Sequence, residues 1–222
     1  MNARILTLAP LFALLACGAP ASGGDTSSSD TSSSDTSGDT ATGDTSATAL
    51  RGADLAGRWV SGGCEAYPDG QGGESYLTRD FQLTEATWRL DLGIYGDAGC
   101  TYPLFSAEIE GPYRLGALST VVPGATEGDF GFERIVWTAW DADIAGYFTA
   151  SGCGAADWEV GVPQDVGATG CIGVAHPISE CPEEYDVVGL DGGQLYFGER
   201  VTDMCVVEGR PAALSAYGLD PR

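Results

Sequence analysis

Gly63-Cys64-Glu65, then Tyr76-Leu77-Thr78-Arg79-Asp80-Phe81, then Tyr95-Gly96-Asp97-Ala98-Gly99-Cys100-Thr101-Tyr102-Pro103 is the stretch whose reading decides the fold. A cysteine sits in a tight glycine turn, a strand carries one arginine among apolar residues, and a second cysteine lies at a Gly/Pro turn. Together these read as the opening of a covalently closed β-unit to which later strands are added. Between the second and third segments, Trp88, Leu90, Leu92 and Ile94 alternate with Arg89 and Asp91, the pattern of a strand with one apolar and one wet face. In the strand before it, Leu77, Arg79, Phe81 and Leu83 share a face, and in a later one Phe105, Ala107 and Ile109 stand opposite Glu108 and Glu110. These predict an antiparallel meander.

Further strands are expected over Tyr113 to Val122, Phe130 to Trp140, Tyr185 to Leu190, Gln194 to Gly198 and Val201 to Glu208. Turns such as Pro123-Gly124 and Asp191-Gly192-Gly193 separate them. The one helix expected is Ala142 to Ser151, capped by Asp141, with Ile144, Tyr147 and Phe148 on one side. The fold class is therefore mainly all-β: a single antiparallel curved sheet or half-open β-barrel with about one short helix.

Six cysteines fall in this region: Cys64, Cys100, Cys153, Cys171, Cys181 and Cys205. An even set in an exported chain reads as three disulfides, and fifteen connectivities are open. Nearest-neighbour pairing is the expectation, Cys64 with Cys100, Cys153 with Cys171 and Cys181 with Cys205, each contributing about 2 to 4 kcal/mol. No metal is expected, because the cysteines form no C-x-x-C pair and the single histidine, His176, has no partner at ligand spacing.

Working toward the N-terminus, Met1 to Ala16 has one early arginine, an apolar run from Ile5 to Leu15 and small residues after it, the layout of a signal peptide. Leu14-Leu15-Ala16-Cys17 resembles a bacterial lipoprotein signal, which implies cleavage before Cys17 and acylation of it (a palmitate-type modification). Gly18, rather than Asp, follows Cys17, which favours an outer-membrane destination. Residues 17–49 are then a lipidated cysteine and a disordered Ser/Thr/Asp linker, with Asp25, Asp30 and Asp35 recurring. Nothing there offsets the entropy of ordering, and about 30 residues reach roughly 100 Å when extended. Residues 50–222 are the folded domain.

The 222 residues hold 32 Asp and Glu against 10 basic residues, a net charge of -22. That balance argues against a nucleic-acid backbone partner, which needs a basic face, and against electrostatic docking on anionic lipid heads.

Trp59-Val60-Ser61-Gly62-Gly63-Cys64-Glu65, Tyr76-Leu77-Thr78-Arg79, Tyr95-Gly96-Asp97 with Cys100 and Pro103, and Val122 to Phe130 resemble the adenomatosis polyposis coli down-regulated domain. Tyr185-Asp186 and Leu195 to Glu199 resemble its C-terminal part. The animal members are Wnt antagonists with two copies of an open β-barrel that encloses an apolar pocket for a lipid chain. This sequence departs in having one copy, a bacterial-type anchor and no C-terminal transmembrane segment, so Wnt antagonism is not carried over. The resemblance implies a curved sheet whose inner face takes up an acyl chain.

Phe81, Trp88, Leu90, Leu92, Phe105, Ile109, Phe130, Phe132 and Trp137 are the residues expected to line that concave face; the alternative is that they fill a solid core. Arg79 shares a face with Leu77 and Phe81, so its charge needs a partner. Glu65 is the expected one in a structural ion pair, with Glu127 and Asp129 also within the candidate set; the alternative is that Arg79 binds a ligand headgroup. No catalytic residue is assigned. His176 precedes Pro177 in a loop with no nucleophile motif, and Asp141 and Asp143 lack a calcium-hand loop. The sequence thus points to a cell-envelope lipoprotein, a non-enzymatic module without cofactors that binds an apolar or acylated ligand. A solid-cored protein-interaction module is the alternative, and an envelope hydrolase the third.

Overall fold

The structure is a computed structural model, and it describes residues 48–68, 73–171 and 175–222. The signal segment, Cys17 and the linker up to residue 47 lie outside the described residues. In chain order the elements are α1 (Gly52–Leu55), β1 (Gly57–Ser61), β2 (Glu65–Pro68), β3 (Glu74–Leu83), β4 (Thr87–Tyr95), β5 (Pro103–Leu118), β6 (Thr126–Gly131) and β7 (Arg134–Ala139). There follow α2 (Ala142–Ala150), β8 (Pro163–Asp165), β9 (Glu183–Asp191), β10 (Gln194–Phe197), a 3-10 turn at Val207–Gly209 and β11 (Leu219–Pro221).

Eight strands close into an antiparallel ring, β1-β11-β10-β9-β6-β5-β4-β3 and back to β1. The half-open barrel expected from the sequence is therefore hydrogen-bonded all round. What closes it is β11, which fills the place between β1 and β10 through Trp59 opposite Pro221 and Leu195 opposite Leu219. The meander β3-β4-β5 forms one wall, with Phe81 opposite Leu90 and Leu90 opposite Ile109. Of the inward side chains of β4, Trp88, Leu90 and Ile94 are buried and Leu92 partly so, while outward Arg89 pairs with Asp91 and Glu108 at 2.9 and 3.0 Å, the wet face its alternation required.

Two arms leave the ring. β1 and β2 run in succession along the same edge of β3, which they meet at residues 80–83 and 74–77. β6 and β7 do the same along β5, and β7 carries β8 outward. Two separate strands had been expected where β5 runs unbroken past Gly111-Pro112, and one where β6 and β7 divide. The cause is a close approach of the two chains: a Cβ on Gly111 would lie 2.1 Å from the Gly131 carbonyl oxygen. Only glycine lets the strands cross there and change partners.

The arm formed by β7 and β8 is covered by α2. Asp141 caps it, accepting from the backbone of Asp143 at 2.8 Å and Ile144 at 3.2 Å. Its Phe148 is fully buried among Phe105, Trp137 and Trp158, ring centres 5.4, 5.3 and 4.9 Å away.

All three cysteine pairs join as nearest neighbours: Cys64 to Cys100, Cys153 to Cys171 and Cys181 to Cys205. At the first, Asp97 organises the turn, accepting from the backbone of Thr101 and Tyr102 at 2.9 and 2.6 Å. That holds Cys100 at φ 50, a left-handed conformation otherwise unfavourable for a residue with a side chain. The strand expected over Val201 to Glu208 is absent. Asp203 accepts from the backbone of Cys205 at 3.0 Å, and the Cys181 bridge fixes the segment as a loop, so local side-chain bonding displaces a ladder.

Candidate functional site

Inside the ring is a cavity of about 120 Å³, open on one side. It is of the order of the about 150 Å³ apolar cavity that accepts one benzene, and well above the space one water needs. It has room for a chain end or a single ring. Its apolar wall comes from Leu77 and Phe81 of β3, Trp88, Leu90, Leu92 and Ile94 of β4, Ile109 of β5, Phe130 of β6, Phe132 just beyond it, and Phe197 of β10. Seven of the nine residues expected to line the concave face do so: Phe81, Trp88, Leu90, Leu92, Ile109, Phe130 and Phe132. Phe105 and Trp137 do not; they pack beneath α2 against Phe148, because the arm of β7 turns their ends of the strands away from the ring.

The floor is aromatic. Phe81 stacks on Phe197 at 4.5 Å between ring centres, Phe130 meets Trp88 edge-on at 5.7 Å and Phe197 at 5.5 Å, and Phe132 meets Trp88 at 5.8 Å. The Trp88 indole donates to the Gly131 carbonyl at 2.9 Å, so the ring is fixed and its polar atom satisfied.

One side of the cavity is charged. Arg79 pairs with Glu65 as expected: Nε lies 3.0 Å from Oε2, and Nη2 donates to Oε1 at 3.0 Å and to the Tyr217 carbonyl at 3.0 Å. Glu65 also accepts from Ser61 Oγ at 2.6 Å, and that hydroxyl oxygen accepts from the Arg79 backbone at 2.8 Å. The side chains are only 4% and 12% exposed, so this pair fastens the Cys64 turn to β3. The other two candidate partners go elsewhere. Arg210 donates to Asp129 at 2.6 Å, stands 3.9 Å from Glu127 and also bonds the backbone of β6 and β9.

Three further polar groups line the cavity that the sequence had not marked as site residues: Glu184, Asp186 and Arg200. Arg200 donates from Nη2 to Glu184 at 2.5 Å. Asp186 is buried, and its Oδ1 accepts from the backbone of Val187 at 2.7 Å and Gly198 at 2.9 Å. Gly198 is required by that approach: a Cβ there would lie 2.6 Å from Asp186 Oδ1 and 2.5 Å from Pro211. Burial pushes the Asp186 carboxyl up to about 6, against the opposing pull of Arg200 and the two backbone donors. Tyr67 completes this side; burial raises its phenol above the ordinary value.

A smaller hollow of about 50 Å³ lies on the other side of Ile109, Phe132 and Glu184, lined also by Trp137, His176 and the Cys181–Cys205 bridge. His176 is in a loop, its Nδ1 3.6 Å from Glu180. Among the described residues no cluster of three or more His, Cys, Asp or Glu could hold a metal ion, and no helix is long and apolar enough to cross a membrane.

A family model described as Adenomatosis polyposis coli down-regulated 1 matches residues 39–153. The match takes in β1 to β7 and α2, hence the Cys64–Cys100 bridge, the Arg79–Glu65 pair and most of the apolar wall. It stops before Glu184, Asp186 and Arg200, and so before the Tyr185-Asp186 and Leu195 to Glu199 segments. Since it spans more than half of the sequence, the chain belongs to the adenomatosis polyposis coli down-regulated family.

Proposed function

We propose that this domain is a non-enzymatic binding module that holds the end of an acyl chain, or a similarly narrow apolar group, inside its barrel. The observation that carries the reading is the cavity itself. Ten apolar side chains from five strands and their margins converge on a space left unfilled, where a solid core would be packed to the density of an organic crystal. An aromatic floor with charged groups to one side is the lining of a site that takes an apolar group and orients it. No reaction is assigned to it.

In the same proposal the domain works at a bacterial envelope, tethered through Cys17 at the outer membrane and carried on the Asp-rich linker. That part rests on the signal and linker sequence alone. A tether of that reach lets the cavity mouth meet ligands well away from the bilayer.

The test is a titration of the protein with a fluorescent fatty acid, with and without Leu92→Trp. Leu92 lines the cavity opposite Ala107, so the larger ring would occupy the space. Binding by the wild type and its loss in a variant of unchanged melting temperature are the expected results. An unaltered protein that binds no acyl probe would end the proposal in favour of a protein-interaction module. That second reading has its own observation: Tyr102, Trp140, Val160 and Val162 are about half exposed on the α2 side, and such apolar groups recur at interfaces.

A further inference from the structure

The charged side of the cavity has more hydrogen-bonding capacity than its own pairs use. Arg200 engages Glu184 through Nη2 alone, and its Nε and Nη1 make no hydrogen bond among the described residues. Exposure is graded along the cavity: the Arg200 side chain is 33% exposed and Glu184 18%, while Phe130 and Phe197 are 4% and 6% exposed. The Arg200 side chain is therefore nearer the solvent than the rings are.

Building on the binding role proposed above, we propose that the cavity selects single-chain amphiphiles with an anionic head, the head seated on Arg200 and the chain end on the aromatic floor. A guanidinium with unused donors in a partly desolvated setting is the group best suited to a carboxylate or sulfonate, which it grips with two parallel bonds. A cationic head has no lone pair for these donors and, with Asp186 protonated, meets no unbalanced negative charge.

The charges around the head decide when it binds. Arg79 from β3 is balanced by Glu65 from β2, and Arg200, beyond β10, by Glu184 from β9. Tyr67 from β2 is neutral. On the far face of β6 and β9, Glu127 and Asp129 are occupied by Arg210. Asp186 is left as the unbalanced group facing the cavity. Ionised, it repels an anionic head; protonated, it leaves the site neutral and offers an O–H donor. Binding is therefore strong in mildly acidic solution and weakens as pH rises. With the Asp186 carboxyl pushed up to about 6, the protonated fraction falls from about 0.9 at pH 5 to about 0.01 at pH 8, so affinity drops by ten- to about a hundredfold.

The experiment uses the full-length chain carrying Cys17→Ser, so that no lipid of its own competes, and titrates it with decanesulfonate, methyl decanoate and decylamine at pH 5, 6, 7 and 8. The sulfonate keeps its charge throughout, so any pH dependence belongs to the protein. Expected are tighter binding of the sulfonate than of the ester or amine at pH 5, and a ten- to hundredfold loss by pH 8. Asp186→Asn should remove that loss. Arg200→Met should weaken the sulfonate at least tenfold and leave the ester unchanged, with Arg200→Lys in between; melting curves show that each variant is folded. Should the ester or amine bind as well as the sulfonate, or Arg200→Met and Arg200→Lys both leave it unaltered, selection by the head is refuted while the cavity reading stands. If none of the three probes binds at any pH, both proposals fall.

Discussion

Replacing Asp186 with Asn should stabilise the ligand-free protein at neutral pH and leave it nearly unchanged in acid. The carboxyl is 3% exposed and is pushed up to about 6 from 3.8. An acid whose value is raised on folding holds its proton better in the folded chain. Its contribution to stability is complete below the unfolded value near 4, shrinks as pH rises, and is gone above about 6. A gap of roughly two units at about 1.4 kcal/mol each is a penalty of ~3 kcal/mol on the wild type at pH 7. Asparagine keeps an oxygen for the Val187 and Gly198 backbone donors and carries no charge. Urea unfolding of both proteins, disulfides intact, from pH 3.5 to 8 measures the difference directly. Relief of the general acidic repulsion is common to both and cancels. The difference should grow by about 2.5 kcal/mol between pH 4 and 7 and then level off. A difference that stays flat across that range, or grows toward acid, would refute the assignment of a buried, reluctantly charged Asp186.

Three other outcomes are expected. Arg79→Met leaves Glu65 charged and 4% exposed, which should destabilise the domain by about 3 to 5 kcal/mol, and a second change, Glu65→Leu, should recover much of that; a melting temperature that Arg79→Met does not lower would show the pair to be dispensable. Removing the Cys64–Cys100 bridge, which spans 36 residues, with paired serines should lose about 4 kcal/mol in chemical unfolding, and peptide mapping without reduction should recover these two cysteines in one fragment. In a bacterial host fed labelled palmitate, the wild type should take up label and Cys17→Ser should not; equal labelling would remove the anchor from the account.

How much of this was legible in the sequence depended on length of pattern. Trp88, Leu90, Leu92 and Ile94 are enough alternations to define β4, and the structure gives it the residues Thr87–Tyr95. Leu219-Asp220-Pro221 is too short to show any period, yet as β11 it turns a trough into a ring. Val201 to Glu208 has the composition of a strand and is a loop, since nothing in composition reveals that Asp203 accepts from the Cys205 backbone. The site divides in the same way. Arg79 stood out because a lone charge on an apolar face demands a partner, and Glu65 was within reach across the Cys64 turn. Asp186 and Glu184 alternate on one face of β9, but with 32 acidic residues in the chain two more carried no signal. Arg200 became meaningful only when β10 brought it beside them.

The seam where β1 meets β11 joins Trp59 to Pro221, segments at opposite limits of the domain. Local hairpins such as β3-β4 can form early, but the cylinder stays unsealed until the last strand has been delivered, so assembly is dominated by a distant pairing and is expected to be slow. Until that latch engages, β1 and β10 each offer an unpaired edge beside a row of aromatic rings, an adhesive surface during folding. An acyl group that entered at this stage would be enclosed by the final strand, so the molecule would take on its cargo as it matures.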